Sequence, residues 1–282
     1  MIKLTNVKKK YNEFELDCSL EVSEGKCVGL IGEHGSGKTT ILKIVLNLLH
    51  KESGELSVFE HARLSVDDKQ NIGAVLLDAS FSEYMTIKDI IPVMEQLYSC
   101  FDKKQFIESC QKNGLPIKKQ IATFSPFLKR KYQLLLALSH QAQLIVIDDI
   151  FAHISNKERE ELYALISSYK DSHPQASFLL ATRDIENIQD LCDEYNILNQ
   201  GQIIYNETKQ ALLSDYGLLK MDDNQFLMID KRYIVRVKKE RYGYSCLTNY
   251  YQFYQQRYHE TMIIEQSTIH TYIKMMIEGE TL

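Results

Sequence analysis

The sequence lacks most of the features that send a chain into a bilayer or an oxidising compartment. Its six cysteines (Cys18, Cys27, Cys100, Cys110, Cys192, Cys246) form no C-x-x-C pair. That argues against a zinc site or a disulfide framework and suits a reducing cytosol. No run approaches the ~18 to 20 apolar residues that span a membrane. The opening Met1-Ile2-Lys3-Leu4-Thr5-Asn6 has no signal-peptide apolar stretch. Any membrane role is therefore expected to come through a partner. Positive charge is short too: 33 Lys+Arg against 38 Asp+Glu leave a net −5, so no electrostatic footprint for nucleic acid or an anionic lipid surface is expected. There is no internal repeat and no low-complexity linker. What is present is ordinary for a globular chain, 44% hydrophobic and 25% charged. Its 282 residues can bury one large core and carry an appendage.

One stretch organises the rest. Gly32-Glu33-His34-Gly35-Ser36-Gly37-Lys38-Thr39-Thr40 follows the apolar run Val28-Gly29-Leu30-Ile31 and opens into Ile41-Leu42-Lys43-Ile44-Val45-Leu46. The pattern G-x-x-x-x-G-K-[ST] between a buried strand and an amphipathic helix is a phosphate-binding loop. Gly32, Gly35 and Gly37 let backbone N–H groups approach phosphate oxygens with no Cβ in the way. The helix from Lys38 adds its positive dipole end. Lys38 reaches the β- and γ-phosphates, and the Thr39 hydroxyl is placed to ligate Mg²⁺.

Around this loop, strands and helices alternate. Phe14-Leu16-Cys18-Leu20-Val22 has the period of a half-buried strand, and Ile41, Leu42, Ile44, Val45, Leu48 and Leu49 give the next helix one apolar face. Strands are expected at 55–59 and 72–77. Thr86 with Asp89 caps a helix, Ser125-Pro126 starts another, and Ser155 with Glu158 forms a capping box for a third. Leu144-Ile145-Val146-Ile147 is a buried strand ending in two carboxylates, Asp148 and Asp149. A strand at 177–181, a helix at 184–192 and a hairpin around Asn199-Gln200-Gly201-Gln202 follow. The fold class this implies is α/β with a mainly parallel sheet.

This order of phosphate loop, helical insertion and Asp-ended strand resembles the ATP-binding subunit of an ABC transporter over about residues 2–206. More loosely, the tail resembles that of bacterial ABC-2-type exporter ATPases. The resemblance implies a P-loop NTPase core with a RecA-like sheet, an antiparallel β subdomain and a helical subdomain at about 86–140. It implies ATP and Mg²⁺ as cofactors, held by residues 32–40. Tyr11 falls where the family stacks a ring on adenine, although a tyrosine in a turn is equally a surface ring. Asp148 matches the magnesium-side aspartate. The next residue, normally a water-polarising glutamate, is Asp149, a carboxylate on a shorter arm. The family's glutamine aligns with Leu77 or Asp78, of which only Asp78 can help hold the metal. The dimer-contacting aspartate and following proline align with Ser155 and Asn156. The switch histidine aligns with Arg183, either a phosphate partner or a solvated charge. The signature L-S-G-G-Q becomes Phe124-Ser125-Pro126-Phe127-Leu128, leaving Ser125 and a helix dipole to meet a partner's nucleotide. Lys129-Arg130-Lys131 reads as a solvated basic face.

Residues 207–282 are expected to form a small α/β extension. A short helix is expected at 208–216, stopped by Gly217, with strands at 225–229, 233–237 and 261–265 and a terminal helix with Ile269, Tyr272, Ile273 and Met276 on one face. Clustered tyrosines there suit core packing and an interaction surface better than RNA stacking. The resemblance then implies a cytosolic ATPase, peripheral on the inner face of the membrane. It would work with a separate permease and with a second ATPase subunit in a homo- or heterodimer. A barely hydrolytic ATP-binding subunit that locks an assembly is the other class these residues allow. A soluble cassette protein of translation or repair fits less well, since no second cassette or coiled-coil insertion is present.

Overall fold

The computed structural model describes residues 1–11, 13–76 and 81–281. The elements that carry the site run in the order β1 (Ile2–Lys10), β2 (Glu15–Val22), β3 (Cys27–Ile31), α1 (Lys38–Val45), β4 (Ser53–Val58), α2 (Val66–Gln70) and β5 (Ile72–Val75). They continue with α3 (Ile87–Leu97), α4 (Lys103–Lys112), α5 (Pro126–Ala137), β6 (Leu144–Asp148), α6 (Asn156–Ser172), β7 (Ser177–Thr182), β8 (Glu194–Asn199) and β9 (Gln202–Thr208). The chain divides into two compact units, Met1–Cys192 with Asn196–Tyr205, and Asp193–Tyr195 with Asn206–Leu282.

The six-stranded sheet has the order β5-β6-β7-β3-β8-β9. Its strands β5, β6, β7 and β3 are parallel. Every residue of β3, β6 and β7 is buried, as parallel strands covered on both faces require. All three run towards one edge, where Gly32, Asp148, Asp149 and Arg183 leave the sheet. A second, antiparallel sheet has the order β2-β1-β4. The alternation read from Leu16 to Val22 is the buried face of β2. In β1 the register shifts at Asn6, whose φ is 48°. A side chain at Gly54 would strike the Asn6 carbonyl, so that position needs glycine.

Local sequence chemistry places the helices. Thr86–Asp89 and Ser155–Glu158 close capping boxes on α3 and α6, and Ser125 accepts from the Leu128 N–H ahead of Pro126 at the first turn of α5. α3, α4 and α5 share a core of their own that includes Ile90, Met94, Phe106, Phe124 and Tyr132. Two expectations fail in this unit. Helix α1 stops at Val45, and Leu48 is 63% exposed, because Asn47 turns left-handed at φ 58°. The stretch 184–192 is a single 3₁₀ turn, Ile185–Asn187, with irregular backbone after it. Ile185, Asn187, Ile188, Leu191 and Cys192 are all buried there, a spacing that fits a helix and a string of tight turns alike.

The second unit continues with α7 (Lys209–Ser214), β10 (Gly217–Met221), α8 (Asp223–Met228), β11 (Ile234–Glu240), β12 (Gly243–Thr248), α9 (Tyr251–Tyr258), β13 (Ile263–Gln266) and α10 (Ile269–Glu278). The four strands β11-β12-β10-β13 form an antiparallel sheet. The apolar run 225–229 is helical instead of a strand. Asp222 and Gln225 close a capping box there, and Leu227 and Met228 are exposed while Ile229 is buried. Gly217 opens β10 rather than merely stopping a helix; a Cβ there would come 2.8 Å or closer only to Tyr251, at 2.7 Å from its ring. Tyr254 and Tyr272 are fully buried, whereas Tyr242 lies in the open.

Candidate functional site

The loop after β3 closes over the edge of the sheet. The Gly32 N–H donates to the Thr182 carbonyl at the end of β7 (3.3 Å), and a side chain at Gly32 would collide with the Leu198 carbonyl. Gly35 and Gly37 have φ of 78° and 110°, conformations that side chains resist. Gly37 is the N-cap of α1 and supplies no side-chain cap. The first-turn N–H groups of α1 therefore remain for an anion. Ser36 Oγ is buried and has no hydrogen-bond partner among the described residues. A polyphosphate fits this cradle: it supplies acceptors where the chain offers only donors. Glu33 and His34 are exposed at the loop's outer turn, and Thr40 is half-buried in α1.

Lys38 lies across the loop, 7% exposed, with Nζ donating to the carbonyls of Gly32 (2.6 Å) and Glu33 (2.9 Å). Burial pulls its pKa down, and the charges of Asp149 and Asp148 pull it up. Thr39 Oγ1 donates to Asp148 Oδ2 at 2.7 Å. Asp148 is 4% exposed. Burial raises its pKa, the Thr39 bond opposes that, and the neighbouring Asp149 charge adds to it. A buried carboxylate whose ionised form is disfavoured is well matched to a cation. Among the described residues no cluster of three or more His, Cys, Asp and Glu forms a metal cage. Mg²⁺ needs none, since one carboxylate, a hydroxyl and phosphate oxygens suffice. Asp78 and Leu77 lie outside the described residues.

Asp149 follows at φ 43°. Its carboxylate is held on both oxygens. Thr182 Oγ1 lies 3.4 Å from Oδ1, and Arg183 Nε donates to Oδ2 at 3.2 Å. The Arg183 Nη2 also meets His153 Nε2 at 3.3 Å. Arg183 is thus not a loose solvated charge; it is paired with the Asp149 carboxylate. Tyr11 is 44% exposed, its ring centroid 6.1 Å from that of Phe14 and 5.9 Å from Lys9 Nζ.

Residues 16–152 match the family model described as ABC transporter. The ABC transporter ATP-binding protein NatA of Bacillus subtilis (strain 168) is 27% identical over 232 residues, 79% of this chain and 92% of NatA. The linearmycin resistance ATP-binding protein LnrL of the same organism is 25% identical, covering 77% of this chain and 72% of LnrL. The lantibiotic transport ATP-binding protein SrtF of Streptococcus pyogenes is 23% identical, covering 82% of this chain and all of SrtF (100%). The chain carries an ABC transporter domain. The fold agrees. The dimeric bacterial ABC transporter cassette MJ0796 superposes with a TM-score of 0.64 at 20% identity, over 74% of this chain and 99% of that one. The same cassette bound to ADP and Pi gives 0.65, again at 20% identity and over 74% and 99% of the two chains.

The segment 124–128, expected to stand where the family has its signature, is built differently from a glycine turn. Phe124 is buried in the helical core, edge-on to Tyr132 at 6.4 Å. Ser125 spends its hydroxyl on its own helix, accepting from the Leu128 N–H at 3.2 Å. The basic run behind it is not a solvated face. Lys129 pairs with Glu83 at 2.6 Å, and Arg130 donates to the Ala152 carbonyl. Lys131 is buried, bonded to Glu161 and to the Asn113 carbonyl. The i, i+1, i+2 spacing hid this, because three adjacent helix positions point to three different neighbours. Lys131→Ala strands the Asn113 carbonyl and unpairs Glu161. It should lower stability by about 2 kcal/mol, seen as a lower urea midpoint, with Lys131→Arg recovering part of the loss. His153 was not singled out from the sequence; the only signal was an imidazole shortly after a strand-ending carboxylate pair.

Proposed function

We propose that this chain is the Mg-ATP-binding and ATP-hydrolysing subunit of an ABC exporter, lying on the cytoplasmic face of the membrane and driving a separate permease. The observation that carries this reading is the phosphate cradle of residues 32–40 with Lys38 across it and the Thr39–Asp148 pair beside it. The names of LnrL and SrtF, resistance and lantibiotic transport, favour export. Among the described residues no helix is long and apolar enough to cross a membrane; this reading takes the permease to be a second chain. Residues 1–206 act as the cassette and 207–282 as an extension to it. Thr39 and Asp148 would hold Mg²⁺, with Asp78 as a further candidate. When bound, the ion neutralises charge developing on the transferred phosphoryl group. Lys38 and the loop N–H groups hold the β- and γ-phosphates, Tyr11 stacks on adenine, and Asp149 polarises the attacking water.

An ABC site is completed by the signature helix of another subunit, here offering Ser125 and the first turn of α5. Mg-ATP should therefore promote a two-fold or pseudo-two-fold dimer. With Pro126 and Phe127 where glycines allow close approach, the homodimer is expected to be weak. Light scattering with Mg-ATP should show partial association that rises with protein concentration, and a tight homodimer would contradict this account of the signature. The proposal as a whole is tested by purification from detergent-solubilised membranes. A multispan membrane protein should co-purify, and the ATPase rate should be higher in that complex than for the chain alone. An isolated chain with no ATP binding would sink it.

A further inference from the structure

We infer that His153 is a positioning residue for the reaction: with Asp149 it holds the Arg183 guanidinium at two points, so the loop after β6 supplies the imidazole that position 183 lacks. This rests on the ATPase reading above.

The geometry begins with a tight turn. The Ala152 N–H donates to the Asp149 carbonyl at 3.1 Å, and the Asp149 N–H is tied to the Ala181 carbonyl at the end of β7 (2.9 Å). Asp149 and His153 flank that turn in left-handed conformations, φ 43° and 55°, which non-glycine residues rarely adopt. Arg130 from α5 anchors the turn through the Ala152 carbonyl. The backbone is therefore held in an uncommon shape whose result is to bring two side chains of one loop onto one guanidinium.

A guanidinium has donors and no acceptor. The 3.3 Å contact from Arg183 Nη2 to His153 Nε2 hence requires the Nε2 lone pair, a neutral ring with its proton on Nδ1. Asp149 takes the Nε–H. One contact would let the planar fork pivot; two contacts fix its plane. Of five N–H donors, three then remain for a phosphate. Burial is the main cause of the lowered Lys38 pKa, and the Arg183 charge adds to it, so the guanidinium lies within electrostatic reach of the lysine that crosses the phosphate loop. A histidine-held arginine can thus present donors to the γ-phosphate without releasing Asp149.

The test uses the full chain with His153→Ala and His153→Gln, the latter retaining an acceptor oxygen. His153 is exposed, so folding is not at stake. His153→Ala should lower kcat about tenfold, since misplacing a group by an ångström costs this much or more, with KM for Mg-ATP unchanged; His153→Gln should recover most of it. In an Arg183→Ala background, His153→Ala should cost nothing further. An equal loss in both backgrounds overturns the inference. A second readout needs no turnover. The arginine Nε–H NMR signal that disappears in Arg183→Lys should exchange slowly in the wild type, broaden in His153→Ala and return in His153→Gln. A signal indifferent to His153→Ala overturns the positioning role even in an active enzyme. A coupled signal in a chain that hydrolyses nothing upholds the positioning contact and removes the ATPase reading instead.

Discussion

Lys38→Ala and Asp148→Asn should each weaken Mg-ATP binding by roughly tenfold to a hundredfold and abolish transport by the complex. The size follows from losing a charge-assisted hydrogen bond, about 1.5–3 kcal/mol. The two variants should separate on stability. Lys38→Ala leaves the Gly32 and Glu33 carbonyls without the ammonium that now caps them, a loss that water at the exposed Glu33 partly offsets. Asp148→Asn keeps an acceptor for Thr39 and removes a buried charge. The Asp148 pKa is raised by burial above its ordinary value. Between the unfolded and folded pKa values the folded chain therefore binds the extra proton, and stability falls as pH rises through that window. At neutral pH the wild type carries the full cost of the ionised form, and Asp148→Asn does not. That variant should melt higher than wild type at pH 7 without nucleotide, the gap closing as pH falls through the Asp148 pKa, while calorimetry shows its Mg-ATP affinity lost. Unchanged affinity in both variants would remove the basis of the functional reading.

The parts of this fold that local chemistry dictates were legible in the sequence. The phosphate loop was one, because glycines, lysine and threonine at fixed spacing serve only a few ends. The capping boxes at Thr86 and Ser155 were others, as was the buried strand at 144–148, apolar without interruption up to Asp148. The misread stretches are those where short apolar runs fit two periods. Phe226-Leu227-Met228-Ile229 reads as a strand until the Asp222–Gln225 box starts a helix across it. Ile185, Ile188 and Leu191 suit a helix or a string of tight turns, and packing chose the turns. In the site, residue identities were visible but their pairings were not. Nothing in the letters joins Arg183 to both Asp149 and His153, or Arg130 to Ala152. These contacts cross 22 to 34 positions; those to Arg183 exist because β6 and β7 lie side by side in the sheet, and that of Arg130 because α5 reaches the loop after β6.

Asp149→Asn should stop hydrolysis, by about 10²-fold or more, and leave ATP binding intact. The amide keeps the size and the left-handed backbone, to which asparagine is as well suited as aspartate, but cannot take a proton from water. Asp149→Glu tests reach. The longer arm restores the extension that the family's glutamate has, and turnover should rise above wild type, at a small cost in stability because glutamate suits φ 43° less well. The gain is limited while Arg183 still grips the carboxylate, as its 3.2 Å bond to Oδ2 does in the wild type. Arg183→His releases that grip and returns an imidazole to the position. Because the two residues touch, their effects should be coupled: Arg183→His alone gives up the guanidinium that His153 holds and should lower turnover, whereas the double variant Asp149→Glu/Arg183→His should recover that loss and exceed wild type. A single-turnover assay separates the chemical step from product release. No gain over wild type in the double variant would mean that carboxylate reach and the Arg183 grip do not limit the reaction, and the low-turnover, assembly-locking role would then take the place of the motor.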